Sequence, residues 1–248
     1  MLTAPHIYYA FYNGFSGQTI YDDYYISFYN LFYTSWPLVI KATFEQDINY
    51  QLEGYATRKL YPKLYYIGSK KTIFTWSNYL QMCALGMIHS MIVFIVPIYV
   101  YQEHYIMNET GVNIDIWSIS LTSFTCLYTA VTAKLVVWTR WWTKVSFFFY
   151  SVMSVLVYVA YVWFSDWWTE SRVKGSVVEV HRSPLFYLTI LVVGGSCFLA
   201  AILVELYRYE YHKNGSDYAR GLMEHYKKQG FNNENVEIEI TEKDLQEL

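Results

Sequence analysis

The sequence predicts an all-α, polytopic transmembrane helical bundle, with one partial helix followed by five full spans. Three observations carry that reading. Only 16% of the 248 residues are charged while 54% are hydrophobic, against about 25% charged in an ordinary soluble domain. The charges are also confined to loops: leaving His neutral, none falls in 24–40, 77–102, 116–133, 145–165 or 183–204. Such stretches approach or exceed the roughly 20 apolar residues needed to cross about 30 Å of hydrocarbon. Finally, Trp117, Trp138, Trp141, Trp142, Trp163, Trp167 and Trp168 cluster at the ends of these stretches, where interfacial aromatic anchors belong.

The elements follow in order. Residues 1–13 are apolar enough for a helix, but at 1.5 Å per residue they reach only about 20 Å. They are expected to be the last half of a span whose first half lies upstream. A small polar knot, Asn13-Gly14-Phe15-Ser16-Gly17-Gln18-Thr19, interrupts the aromatic run. The next span is 24–44, extended past Ile40 by a Lys41 that can snorkel, with Pro37 positioned to kink it. After a polar loop come 77–102, containing Pro97, then 116–139 and 145–165, joined by the tight basic turn Thr139-Arg140-Trp141-Trp142-Thr143-Lys144. The connection 166–182 is read as a loop and 184–207 as the last span. Residues 1–210 form the membrane domain and 211–248 a polar tail, acidic at its end, with the composition of a solvated arm.

Charge placement orients the bundle. With alternating crossings, Lys41, Arg58, Lys59, Lys63, Lys70, Lys71, Lys134, Arg140, Lys144, Arg208, Lys213, Arg220, Lys227, Lys228 and Lys243 fall on one side, and only Arg172, Lys174 and Arg182 on the other. The positive-inside bias makes the first side and the tail cytosolic, so the polar knot is expected to face the exoplasm or a lumen. Asn108 in Asn-Glu-Thr shares that side and is a candidate glycosylation site, whereas Asn214 in Asn-Gly-Ser does not share it.

Polar groups inside spans are expensive and so draw attention. Ser35, Ser90, Thr125, Thr132 and Ser196 can bond their own preceding carbonyls, and His89 can serve as a neutral imidazole between helices. Glu205 sits near the cytosolic end of the last span, and no other Asp or Glu lies within the spans, which argues against ion coupling. Asn13 and Asn30 are the stronger candidates. Each amide offers two donors and an acceptor, suited to a polar headgroup without burying a charge; the plainer alternative is that both join helices. Cys83, Cys126 and Cys197 lie inside spans without metal-ligand spacing and read as small hydrophobes. Gly194-Gly195 reads as a close helix contact. No phosphorylation motif, phosphate-cradling Gly loop or hydrolase triad occurs, so no catalytic or metal-binding residue is assigned, and no cofactor for this chain.

The stretch Phe11-Tyr-Asn-Gly-Phe-Ser-Gly-Gln-Thr-Ile-Tyr-Asp-Asp-Tyr-Tyr-Ile-Ser-Phe-Tyr-Asn-Leu-Phe-Tyr-Thr-Ser-Trp-Pro37, followed by Phe44-Glu-Gln-Asp47, Leu60-Tyr-Pro-Lys-Leu-Tyr-Tyr-Ile-Gly68 and a four-helix set, resembles the C-terminal membrane region of the type-four, phospholipid-transporting (flippase) P-type ATPases. The resemblance implies membrane helices five to ten of that family. It implies movement of phospholipid from the exoplasmic to the cytosolic leaflet, driven by ATP with Mg²⁺ through domains outside this chain, so that the chain is inactive alone. It places Asn13 at the headgroup-contacting end of the fifth helix and Asn30 along the sixth-helix lipid path, with Ser16 and Gln18 as lesser candidates that shape the turn. It further implies a CDC50-type accessory subunit and residence in the plasma membrane or Golgi/endosomal membranes. The alternative expectation is a non-enzymatic membrane module that packs against a complete ATPase or its accessory subunit.

Overall fold

Tyr21, Tyr25, Tyr29 and Tyr33 recur every fourth residue, so a helix puts all four on one face. In the computed structural model, which describes residues 1–45, 75–102, 115–168 and 171–211, that face is buried. The Asn108 sequon, the basic loop within 46–74 and the tail from 212 lie outside the described residues.

The helices in order are α1 (Thr3–Tyr12), α2 (Asp23–Phe28), a π-helical segment (Tyr29–Thr34), α3 (Ser35–Phe44), α4 (Trp76–Gln102), α5 (Ile116–Trp138), α6 (Lys144–Phe148), a second π segment (Phe149–Met153), α7 (Ser154–Trp167), α8 (Ser176–Arg182) and α9 (Pro184–Tyr211). Every described element is helical. Four helices are long and apolar enough to span a bilayer: Trp76–Gln102, Ile116–Trp138, Lys144–Trp167 and Pro184–Tyr211. The fifth expected span, 24–44, is helical throughout but divided by its π turn. The connection 166–182, expected to be a loop, carries the short helix α8.

Two compact units partition the chain. One comprises Met1–Glu45 and Cys83–Ile202, the other Gln46–Met82 and Leu203–Leu248. In the second, Arg208 pairs with Glu205 at 2.7 Å along the last turns of α9, and Trp76 meets Tyr79 edge-on.

The first unit is organised around α5, whose residues Ser118, Ser120–Tyr128 and Ala130 are buried. A helix so surrounded cannot expose its hydroxyls to water, and those of Thr122, Ser123 and Thr125 bond protein instead. Thr122 donates to the Ser118 carbonyl at 2.9 Å, Thr125 to Leu121 at 2.7 Å, and Ser123 crosses to Val93 of α4 at 3.2 Å. Having spent their protons, these oxygens act as acceptors. Tyr101 donates to Thr122 at 3.1 Å, Tyr21 to Ser123 at 3.0 Å, and Tyr158 to Thr125. On α7, Ser165 donates to Val162 at 2.7 Å and accepts from Tyr25 at 2.8 Å. Phe124 of α5 meets the rings of Tyr21, Tyr25, Tyr29 and Tyr33 at 4.8–6.1 Å. These edge-on pairs add about 0.5–1.5 kcal/mol each beyond area burial.

The widened turn before Pro37 has a local cause. Pro37 has no N–H to donate and its ring crowds the carbonyl four residues earlier. Within the widened turn, hydroxyls also bond the main chain: Thr34 donates to Tyr29 at 3.1 Å, and Ser35 to Leu31 at 2.8 Å and also to Asn30. The second π segment, in a run without proline, has no such local explanation; it packs against α3, as α7 packs against the first.

At the other end of the 23–44 run, Lys41 donates to the Trp138 carbonyl at 2.9 Å and pairs with Glu45 at 3.3 Å, and Glu45 accepts from the Arg140 amide at 3.0 Å. The basic turn is thereby tied to α3. Gly194 of α9 faces Thr129 of α5 so closely that a Cβ would stand 3.0 Å from its methyl carbon, as the helix-packing reading of that glycine requires; no atom stands within 4 Å at Gly195.

The phenol accounting gives a test. Tyr25→Phe is expected to lower stability by about 1 kcal/mol, measured by thermal unfolding in detergent. Tyr33→Phe is expected to leave it unchanged or raise it, because the buried Tyr33 hydroxyl has no hydrogen-bond partner among the described residues and removing an unsatisfied group is not penalised.

Candidate functional site: the polar turn and the open face of the second helix

The turn after α1 is built by its own side chains. The Asn13 main-chain N–H closes α1 by donating to the Tyr9 carbonyl at 3.0 Å, and the Phe15 N–H donates to Ala10 at 2.9 Å. Three residues then take left-handed backbone: Gly14, Phe15 and Gly17, at φ of 63°, 60° and 81°. Glycine adopts that region without a steric cost, whereas Phe15 does not. The Asn13 side chain braces the excursion, donating through Nδ2 to the Gln18 carbonyl at 3.0 Å while Oδ1 accepts from the Ser16 amide at 3.3 Å. Ser16 and Gln18 are exposed. The structure thus gives Asn13 a turn-shaping role and brings Ser16 and Gln18 to it through their main chains.

Beyond the turn the chain dives inward. Ile20, Tyr21 and Asp22 are all buried, and burial pushes the Tyr21 phenol well above its ordinary value, keeping it a donor. Asp22 caps α2 by accepting from Tyr24 at 2.9 Å. Its second oxygen accepts from the Arg172 amide at 3.0 Å. The Arg172 guanidinium pairs with Asp23 at 3.4 Å and lies over the Trp117 ring at 5.8 Å. One carboxylate therefore fastens the start of α2 to the connection between α7 and α8. Sequence reasoning missed this clip. The Asp-Asp pair before a helix signals a cap, but its partner lies 150 residues away.

Asn30 is placed differently. It sits in the π segment on the side away from the tyrosine stripe, exposed, and its side chain makes no hydrogen bond to any described residue. Ser27, one turn earlier, is exposed beside it and donates to Asp23 at 2.8 Å. No hydrogen bond joins Asn13 to Asn30. The other intramembrane candidates are accounted for locally: Ser90 bonds Gly86 and Met87, Thr132 bonds Tyr128, and Ser196 bonds Val193. His89 is buried, with Nε2 unpartnered among the described residues. Among the described residues no three His, Cys, Asp or Glu side chains gather as metal ligands.

A bundle of apolar helices with an exposed amide on a widened turn defines an integral, multi-pass membrane protein with a polar feature on one helix. Comparison with known proteins places it more narrowly. Residues 1–214 match the family described as phospholipid-translocating P-type ATPase, C-terminal, and the chain belongs to that family. Relatives include the mouse phospholipid-transporting ATPase ID, 29% identical over 227 residues, covering 88% of this chain and 18% of that protein. The Saccharomyces cerevisiae phospholipid-transporting ATPase DRS2 is 28% identical over 214 residues, 85% of this chain and 15% of the relative. The mouse phospholipid-transporting ATPase FetA is 35% identical over 146 residues, 58% and 12% of the two chains. The chain spans less than a fifth of the length of these relatives.

The two amides and the clip differ in what their removal should cost. Asp22→Ala is expected to destabilise by about 2 kcal/mol through the lost cap and tie, and Asn13→Ala by about 1 kcal/mol. Asn30→Ala should stay within about 0.5 kcal/mol of the parent. Thermal unfolding of the three variants in one detergent ranks them; an Asn30 variant as damaged as the Asp22 variant would make Asn30 structural.

Proposed function

We propose that this chain supplies the C-terminal membrane part of an ATP-dependent phospholipid flippase, and that Asn30 contributes to the polar track for a lipid headgroup. The observation that carries the reading is the exposed amide of Asn30, without a side-chain partner among the described residues, on a π turn whose tyrosine face is buried. An amide kept on a span at the cost of desolvation, beside an irregular backbone, is the kind of feature that serves transport. Membership of the family and the names of the relatives support the substrate class. Headgroups would pass from the exoplasmic to the cytosolic leaflet while acyl tails remain in lipid.

Asn13 enters the proposal in two capacities. Its side chain is engaged in bracing the turn, so its part in the track is to hold Ser16 and Gln18 at the entrance rather than to act as a free headgroup ligand. The end carrying the turn is exoplasmic or lumenal and the basic end cytosolic, as the Lys and Arg distribution favours. On this reading ATP and Mg²⁺ act outside the region matched here, and this segment does not hydrolyse ATP alone. A CDC50-type subunit is its accessory partner, and the plasma membrane or the Golgi/endosomal system its location.

A chimera in which this segment replaces the corresponding part of the yeast relative tests the proposal. Asn30→Ala should change lipid-stimulated ATP hydrolysis or headgroup preference, whereas Ser27→Ala, on the same face but bonded within its helix, should alter them less. Unchanged selectivity and turnover in both Asn30→Ala and Asn13→Ala would remove Asn30 from the path. A C-terminal tag that resists protease added to sealed inside-out vesicles and is cleaved only after detergent would reverse the proposed orientation.

A further inference from the structure

Tyr25, Tyr29, Tyr33 and Pro37 are buried at a spacing of four residues, and Asn30 is exposed. An unbroken α-helix cannot do this. Each of its residues turns about 100°. Counted back from Pro37 at that pitch, Asn30 would lie within about 20° of the buried direction, and Tyr29 and Tyr25 would have turned off it by about 80° and 120°. Twelve residues carry the stripe from Tyr25 to Pro37, where three α turns take about 11. The π segment Tyr29–Thr34 absorbs the one residue in excess. The opposing helix shows the same relation. Tyr150, Ser154, Tyr158 and Val162 are buried at spacings of four, and a π segment widens that run at Phe149–Met153. Pro37 favours the wide turn in the first helix; the stripe spacing calls for one in both.

The excess residue of the first helix lies between two well-held rings. Tyr25 bonds Ser165 at 2.8 Å, and Tyr33 meets Phe124, Tyr128, Tyr158 and Tyr161 at 5.5–5.8 Å. Tyr29, between them, has one ring neighbour among the described residues, Phe124 at 6.1 Å. A π turn bonds residues five apart where the α-helix bonds residues four apart, so moving it changes main-chain partners. The carbonyls of Tyr29, Asn30 and Leu31 each also accept from the hydroxyl of Thr34 or Ser35. The exchange therefore does not leave them bare in hydrocarbon. With the wide turn moved one turn toward Asp23, residues 29–37 form one α-helix, Tyr33 stays buried and Asn30 turns to the buried side.

We propose that the Tyr29–Thr34 π turn is a movable joint, whose one spare residue passes along the helix and swings Asn30, with a lipid headgroup bonded to it, from the open face toward the interior. The inference rests on the proposed part of Asn30 in the headgroup track.

Deleting Leu31, which is exposed, removes the spare residue and leaves the stripe at spacings of four, three and four, an ordinary α-helical face. The melting temperature of the full chain in detergent should move by no more than about 4 °C, and Tyr25→Phe should lower it as much in the deletion as in the parent. Deleting Leu191, also exposed but in the unbroken helix α9, turns one half of that helix by about 100° against the other and should lower it far more. A Leu31 deletion as damaging as the Leu191 deletion would overturn the proposal. In the yeast chimera, ATP hydrolysis is titrated with phosphatidylserine and then with phosphatidylcholine. The Leu31 deletion should keep the half-stimulating lipid concentration, because Asn30 stays on the open face, and lower the saturating rate about tenfold, because the swing is lost. An unchanged saturating rate would overturn the joint, with or without a raised half-stimulating concentration. If Asn30→Ala impairs the same chimera, that failure is the joint's alone; if Asn30→Ala has no effect, the headgroup track through Asn30 fails and takes the joint with it.

Discussion

Inside a bilayer a hydroxyl that misses its partner has no water to fall back on, and this protein is built around that constraint. The central helix α5 carries a run of Ser and Thr that a soluble helix would turn to solvent. Here Thr122, Ser123 and Thr125 each bond a main-chain carbonyl within or beside the helix and then accept from a tyrosine of another segment: Tyr101 from α4, Tyr21 from the turn, Tyr158 from α7. The phenols supply the donor and the aromatic area together, so one residue type both satisfies the polar groups and fills the space around Phe124. The abundance of tyrosine, 27 in 248 residues, follows from that double use.

The same constraint organises the ends. Asp22 joins α2 to the connection after α7 at one end, and Lys41 with Glu45 joins α3 to the basic turn at the other. Between these two fastenings the 23–44 run must accommodate Pro37, and before it the helix widens to a π turn in which carbonyls also accept from the hydroxyls of Thr34 and Ser35. The run is consequently pinned at both ends, packed by its tyrosine face and left irregular in the middle. Its opposite face carries Asn30. A helix held this way can present an amide to a passing headgroup without losing its place in the bundle, which links the packing of the support helices to the transport proposed for the family segment.

The asymmetry between the two asparagines follows from their backbones. Asn13 lies where Gly14, Phe15 and Gly17 take left-handed backbone, and its side chain is consumed in supporting that turn. Asn30 lies on the exposed side of its helix, where its side chain meets no hydrogen-bond partner among the described residues.

The sequence alone determined that the protein is a bundle of membrane helices, where most of them begin and end, and that its front stretch resembles the flippase membrane region. Charge-free runs and their tryptophan ends are local properties, and the cost of placing a charge in hydrocarbon makes them decisive. It also placed Asn13 and Asn30 among the candidates and Gly194 at a helix contact. Only the tertiary structure decided which amide is engaged and which is open, and that Asp22 meets Arg172. Those outcomes depend on residues from separate helices arriving at one place, and the spacing of letters along a chain carries no measure of the distance between packed helices.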